Sequence, residues 1–380
     1  MELLPFVYGK IAEIQNFTDR EKESKRLAQN FFSLINTIVI SPRRWGKSSL
    51  VKKVAQQAMA DNKDIRVCLL DIFSVRNESE FYAYFAQSLI KATSTRWEEW
   101  VENSKTFLSR LLPKISFSPD DQAEISFGVE WDELKKNPAE IIDLAETIAK
   151  AKKIKIVVCI DEFQSIGNFD DSLAFQRKLR SHWQHHQNVT YCLYGSKRHM
   201  LLDIFSNPEM PFYKFGDIMF LEKIDNKVWG KFIQKRFKDT GKSITKKQAE
   251  YLAEQVENHS YYVQQLAQQA WLRTKTECSM AIIDDSLQSI KNQLSLLFVG
   301  MTEMLTATQL YFLRAIIDGE TVFGQENLNK YRLGTSANVI RIKDALLSKE
   351  IIDITAKNVE IQDPVFKLWL KEEYFKYKLI

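Results

Sequence analysis

The run Thr37-Ile-Val-Ile40 leads into Ser41-Pro-Arg-Arg-Trp-Gly46-Lys47-Ser48-Ser49, and this passage constrains the chain more than any other. Four β-branched residues in succession suit a central strand covered on both faces. Beyond the loop, apolar residues at 50, 51, 54, 55, 58 and 59 recur with a helical period. Strand, loop and helix thus follow in the order that the G-x-x-x-x-G-K-[ST] pattern requires, with Ser41 in place of the first glycine. Such a loop concentrates backbone N–H donors at a helix N-terminus, an arrangement that suits a triphosphate. The candidate binding set is Ser41, Pro42, Arg43, Arg44, Trp45, Gly46, Lys47, Ser48 and Ser49. Gly46 allows close backbone approach, Lys47 supplies charge to the β- and γ-phosphates, and Ser48 offers a hydroxyl to Mg²⁺. A serine at 41 is expected to cost some conformational freedom relative to glycine, and Pro42 to offset it by fixing φ.

A second apolar run, Ile154-Lys-Ile-Val-Val-Cys-Ile160, ends in Asp161-Glu162. Two carboxylates at the end of a buried strand need a cation or a solvated site to face. Beside a phosphate loop, the first is placed to hold Mg²⁺ and the second to polarise a water. Further strands are expected at Arg66–Ile72, Val189–Tyr194 and Asp217–Leu221, with helical segments between most of them. That alternation predicts a parallel sheet with right-handed crossovers, and a ligand at the carboxyl ends of its strands. Ser196, just after the fourth strand, either senses the γ-phosphate or caps the following helix.

The rest of the chain narrows the class. With 380 residues, two or three domains are expected, and a net charge of +4 does not by itself declare a nucleic-acid binder. Three of the four cysteines, Cys68, Cys159 and Cys192, fall inside expected strands, and Cys278 lies outside them; no metal-binding spacing is present. This suggests a reduced, cytoplasmic protein. No run approaches the roughly 18 apolar residues of a membrane helix, and Met1–Gly9 does not read as a secretion signal.

Residues 93–137 read as an insertion containing a helical piece and a hairpin, Lys114–Phe117 with Glu124–Phe127. After Leu221 the pattern turns helical: Val228–Phe237, Lys246–Val256, and Ser260–Trp271 with Ser260 as its cap. This segment suits a lid. The C-terminal part suits a winged helix. Thr306 caps Gln309–Ile317, short helices follow near Gln325–Tyr331 and from Ser336 to Lys349, and Ile351–Ile354 with Val359–Ile361 form the wing. From Tyr331 to Glu350, the stretch around the third helix carries Arg332, Arg341, Lys343 and Lys349 against Asp344 and Glu350, which leaves both duplex DNA and a protein surface open as its partner.

Taken together, these residues resemble the archaeal-type P-loop ATPase family, related to the STAND regulators and more distantly to AAA+ proteins. Phe17-Thr-Asp-Arg-Glu-Lys-Glu23 is similar to the family's F-x-x-R-E-x-E box, and Ser41–Ser48, with paired Arg43 and Arg44, to its G-P-R-R-x-G-K-[TS] loop. Ile160-Asp-Glu-Phe-Gln164 resembles its Walker B segment, Leu193–Ser196 its sensor region, Ser260–Gln264 its lid helix, and Asp363–Trp369 the close of its winged helix. The family often carries P-L-Y-G-R where this chain has Pro211-Phe-Tyr-Lys-Phe215, so an arginine is missing. Arg43, Arg44, Arg177, Arg180 or a neighbouring subunit are the candidates to replace it.

The expected architecture is an α/β P-loop NTPase with a parallel sheet of order 5-1-4-3-2, followed by a helical lid and a winged helix. The expected domains are 1–222, 223–300 and 301–380. Lys47 and Glu162 are the expected catalytic residues, and Ser48 and Asp161 the expected Mg²⁺ ligands. ATP is the nucleotide that the resemblance implies, and a slow Mg-dependent hydrolysis would drive a switch. Its winged helix would contact a protein partner or its own ATPase domain. The alternative is a nucleotide-regulated DNA-binding protein linked to mobile DNA or defence. Homo-oligomerisation is compatible with either reading, and a membrane is not involved.

Overall fold

The computed structural model describes residues 4–10, 17–94, 138–322, 324–355 and 358–376. Nearly all of the segment read as an insertion, including the hairpin near Lys114–Phe127, lies outside the described residues. The chain divides into two compact units, one within Glu21–Ser41 and Lys47–Leu221, the other within Met1–Arg20, Pro42–Gly46 and Glu222–Ile380.

The first unit is a parallel five-stranded sheet with its crossover helices. In chain order it contains α1 (Glu21–Phe32), β1 (Thr37–Ile40), α2 (Lys47–Asp61), β2 (Ile65–Asp71), α3 (Glu78–Thr93), α4 (Pro138–Ile142), α5 (Leu144–Lys152), β3 (Lys155–Asp161), α6 (Ser172–Trp183), β4 (Val189–Gly195), α7 (Arg198–Ser206) and β5 (Asp217–Phe220). The strand order β2-β3-β4-β1-β5 is the expected 5-1-4-3-2 read from the other edge. Every pairing in this sheet is parallel. The three central strands, β1, β3 and β4, are buried almost throughout because both faces are covered, whereas the edge strands β2 and β5 expose Leu69 and Phe220. Ile156, Val158 and Ile160 enter one aromatic-rich core, while Val157 and Cys159 are fully buried on the opposite face. Trp183 stacks on Tyr191 at 3.9 Å between ring centres, anchoring α6 to β4. A 3₁₀ turn, Phe163–Asn168, follows β3 directly. It carries Phe163 into the core against Phe205 and Phe212.

The second unit begins its helices after Leu221. It contains α8 (Asn226–Asp239), α9 (Lys246–Gln255), α10 (Ser260–Arg273), α11 (Met280–Glu303), α12 (Ala307–Ile317), α13 (Gln325–Lys330), α14 (Ser336–Ser348), β6 (Ile352–Thr355), β7 (Asn358–Ile361) and α15 (Pro364–Trp369). Thr306 and Gln309 form the reciprocal capping box at the start of α12. β6 and β7 pair antiparallel as the wing. One hydrophobic core runs from Trp229 and Leu266 through Ile290 and Phe298 to Phe366 and Trp369. The 24-residue α11 carries this core from α8–α10 into the winged helix. At α10 the expected cap differs: His259 occupies the cap position without a side-chain bond, and Ser260 is already helical.

Burial of His259 has a consequence for stability. Loss of hydration, and then the charges of Lys223 and Arg44, hold its imidazole at about 4, below the ordinary 6.5. The folded chain therefore keeps His259 neutral, while the unfolded chain binds a proton as pH falls through about 6.5. This stability is fully present above that pH and is lost progressively down to about 4, a difference of roughly 3 kcal/mol. Urea midpoints measured from pH 7.5 to 4.5 should show an acid-side decline that is shallower in His259→Gln. Parallel declines would mean that His259 does not contribute.

Candidate functional site

Within the sheet unit, β1, β3 and β4 end side by side, and each leads into a polar residue. Ile160 of β3 pairs with Leu193 of β4, and Ile40 of β1 with Gly195. This register places Asp161-Glu162, Ser196 and the start of α2 at one edge of the sheet. Ser48 Oγ donates to Asp161 Oδ2 at 2.6 Å. Lys47 Nζ lies 3.8 Å from Glu162 Oε1, and Ser196 Oγ donates to Glu162 Oε2 at 3.0 Å. Gln164 Nε2 donates to the same Oε2. The Glu162 N–H donates back to Asp161 Oδ1 at 2.8 Å.

Charged groups are drawn into a poorly hydrated corner here. Lys47 is only 7% exposed, so its ammonium is held with little water around it. Burial pushes the Asp161 carboxyl above its usual range, against the opposing pull of Lys47 and the Ser48 hydroxyl. A buried carboxylate with such a cost is stabilised when a cation arrives. Glu162 sits at φ +54°, in the left-handed region that a non-glycine residue adopts at a cost of about 1–2 kcal/mol. That bend turns the chain out of β3 and brings Glu162 beside Ser196.

The loop geometry answers the question posed by Ser41. Its left-handed positions are Arg44, at φ +64°, and Gly46, at +90°. Ser41 is not one of them, so the missing glycine costs nothing in that region. Gly46 is required by its dihedral and not by crowding, since a Cβ there would meet nothing within 4 Å.

In the second unit the loop tip, Pro42–Gly46, meets residues of α10 and of the winged helix. Arg43 Nε pairs with Glu350 Oε2 at 3.2 Å, just past α14. The Arg44 guanidinium lies 4.4 Å over the Tyr261 ring on α10. Tyr262 donates to Asp363, whose other oxygen caps α15 through Val365 and Phe366, so α10 and α15 are tied together.

Of the replacements for the missing arginine, neither residue on α6 joins the cluster. Arg177 is exposed, and Arg180 lies over the Phe215 ring at 5.1 Å while bonding Gln184. Phe215 is buried in the aromatic core, and Lys214 is exposed. Gln164 and Gly195 join the site; both lie inside segments that the sequence marks, but neither carries a role of its own there. The signal available is a polar pair, Gln164-Ser165, between the large apolar residues Phe163 and Ile166.

These features define a P-loop ATPase fold that ends in a winged helix. Residues 297–372 match the family model described as a probable winged helix domain. Among solved structures, the chain is similar to a Walker-type ATPase of Pyrococcus abyssi, with a TM-score of 0.67 and 17% identity, covering 97% of this chain and 100% of that one. It is also similar to the ORC2 protein of Aeropyrum pernix in its ADPNP-ADP complexes, with a TM-score of 0.57 and 12% identity over 98% of this chain and 99% of that one. The ADP form of the same protein gives 0.53 and 14% identity, over 96% and 97%. The fold is thus that of the archaeal Walker-type ATPases. No curated protein sequence matches the chain. Among the described residues, no helix is long and apolar enough to cross a membrane.

Proposed function

We propose that this protein binds Mg-ATP and hydrolyses it slowly as a nucleotide-driven switch. The observation that carries this reading is the meeting of Lys47 and Ser48 with Asp161, Glu162 and Ser196 at the carboxyl ends of three parallel strands. The residues fit a nucleotide and its cation. Lys47 is a buried ammonium suited to the β- and γ-phosphates, and the N–H groups at the start of α2 would add donors. Ser48 and Asp161, already bonded to each other, would hold Mg²⁺. A bound Mg²⁺ would neutralise charge on the phosphate oxygens. Glu162 then orients water and accepts its proton, while Ser196 fixes one of its oxygens.

Two contacts of the loop tip bear on the switch. Arg43 pairs with Glu350 and Arg44 lies over the Tyr261 ring, so an anion drawn to Arg43 would compete with Glu350. This favours the winged helix as a reader of its own chain, or of a protein partner, over a DNA reader. Lys349, one of the four basic residues between Tyr331 and Glu350, is already bonded to the Met304 carbonyl at 2.7 Å. Ile340 stands exposed in the middle of α14, an apolar residue on a surface that DNA would need basic.

The test is a calorimetric titration of the purified chain with ATP, with and without Mg²⁺, followed by a phosphate-release assay. Saturable binding strengthened by Mg²⁺, with slow turnover, is the expected result. No binding at millimolar ATP removes the reading. The same sample should show no duplex binding that falls steeply with salt, and such binding would restore the DNA alternative.

A further inference from the structure

We propose that Gln164 is a positioning residue for Glu162, and that residue 195 is glycine so that Gln164 can take up that role. The inference rests on the reading of Glu162 as the group that acts on water. Gln164 is 2% exposed, although it lies in a turn at the edge of the sheet. Its amide nitrogen donates to Glu162 Oε2, the same oxygen that accepts from Ser196. Its Oε1 is buried and has no hydrogen-bond partner among the described residues. Turning the amide over would bring that oxygen against the Glu162 carboxylate, so charge fixes the orientation seen.

A buried acceptor left unpaired is destabilising. The arrangement persists because the amide donor is used on Glu162. Gly195 is the other half of the device. Its φ is not in the left-handed region, so its dihedral does not call for glycine. Space does: a Cβ on residue 195 would overlap Gln164 Oε1 and crowd its Cδ. The register that pairs Ile160 with Leu193 brings Gly195 beside the chain leaving β3. The amide then lies across Gly195 and reaches back to Glu162. Lys47 lies by one oxygen of the Glu162 carboxylate, and Ser196 and Gln164 both donate to the other. Ser196 and Lys47 remain when Gln164 is removed, so the expected effect is a misplacement of the carboxylate and not its loss.

The test uses Gln164→Ala, Gly195→Ala and the double variant in the full chain. Gln164→Ala should lower kcat about tenfold, the order of a sub-ångström misplacement, with KM for ATP and ATP affinity within about twofold. Gly195→Ala should do the same by expelling the amide. The double variant should be no slower than Gln164→Ala, because the new methyl enters the space that the amide left. Unfolding midpoints give a readout independent of turnover: Gly195→Ala should lower the midpoint in the wild-type background and leave it unchanged in Gln164→Ala. An unchanged kcat in Gln164→Ala overturns the proposal, as does a double variant that multiplies the two losses. Failure of the underlying reading looks different: wild-type turnover would be insensitive to Glu162→Gln, while the midpoints still decide whether Gln164 and Gly195 are coupled.

Discussion

Lys47→Ala is expected to weaken Mg-ATP binding by about a hundredfold. The change removes a charge-assisted contact to phosphate in a site with little water to replace it, worth about 3 kcal/mol. Lys47 is 7% exposed, so solvent cannot restore the charge cheaply. The loop's N–H donors remain, and they should leave a weak residual affinity. Lys47→Arg is the informative companion. It keeps the charge but brings a larger, planar head into a space where Nζ already lies 3.8 Å from Glu162, and it should restore only part of the affinity. Calorimetric titration of both variants against wild type, at one Mg²⁺ concentration and one ionic strength, measures the effect. Affinity unchanged in Lys47→Ala would mean that the loop does not hold the triphosphate.

Part of this site is legible in the sequence, for a physical reason. A central parallel strand is covered on both faces, so its residues form continuous apolar runs, and a charged pair at the end of such a run stands out. Ile154–Ile160 before Asp161-Glu162 is such a signal, and Thr37–Ile40 before the loop is another. Periodicity also marks α2, α12 and α14 closely. What a sequence does not display is whatever depends on register. Gln164 matters because Gly195, thirty-one residues later in the chain, lies under its amide. No local pattern encodes that closeness. The pairing of Arg43 with Glu350 is of the same kind: each is an ordinary surface-type residue in its own segment. The expected cost at Ser41 fails for a different reason. The loop's left-handed bends fall at Arg44 and Gly46, and a sequence pattern does not say which position carries the dihedral.

The sharper test of mechanism is Glu162→Gln. Glutamine keeps the shape of the side chain, and its carbonyl oxygen can still accept from Ser196 and Gln164. What it cannot do is accept a proton from water. General-base removal typically costs 10²–10⁴ in rate, so turnover should fall at least about a hundredfold. ATP affinity should hold within a few-fold, because Lys47, Ser48 and Asp161 are untouched. The two variants therefore separate two roles that lie 3.8 Å apart: Lys47→Ala should lose binding, and Glu162→Gln should lose turnover and keep binding. Steady hydrolysis at the wild-type rate in Glu162→Gln would remove Glu162 as the base. If wild type itself binds ATP without turnover, the nucleotide is a structural ligand, and the missing arginine at Phe215 becomes the explanation. No arginine on α6 takes its place, with Arg180 held over Phe215 and Arg177 in solvent. The pair of measurements thus decides between a switch that resets itself and one that waits for an arginine from elsewhere.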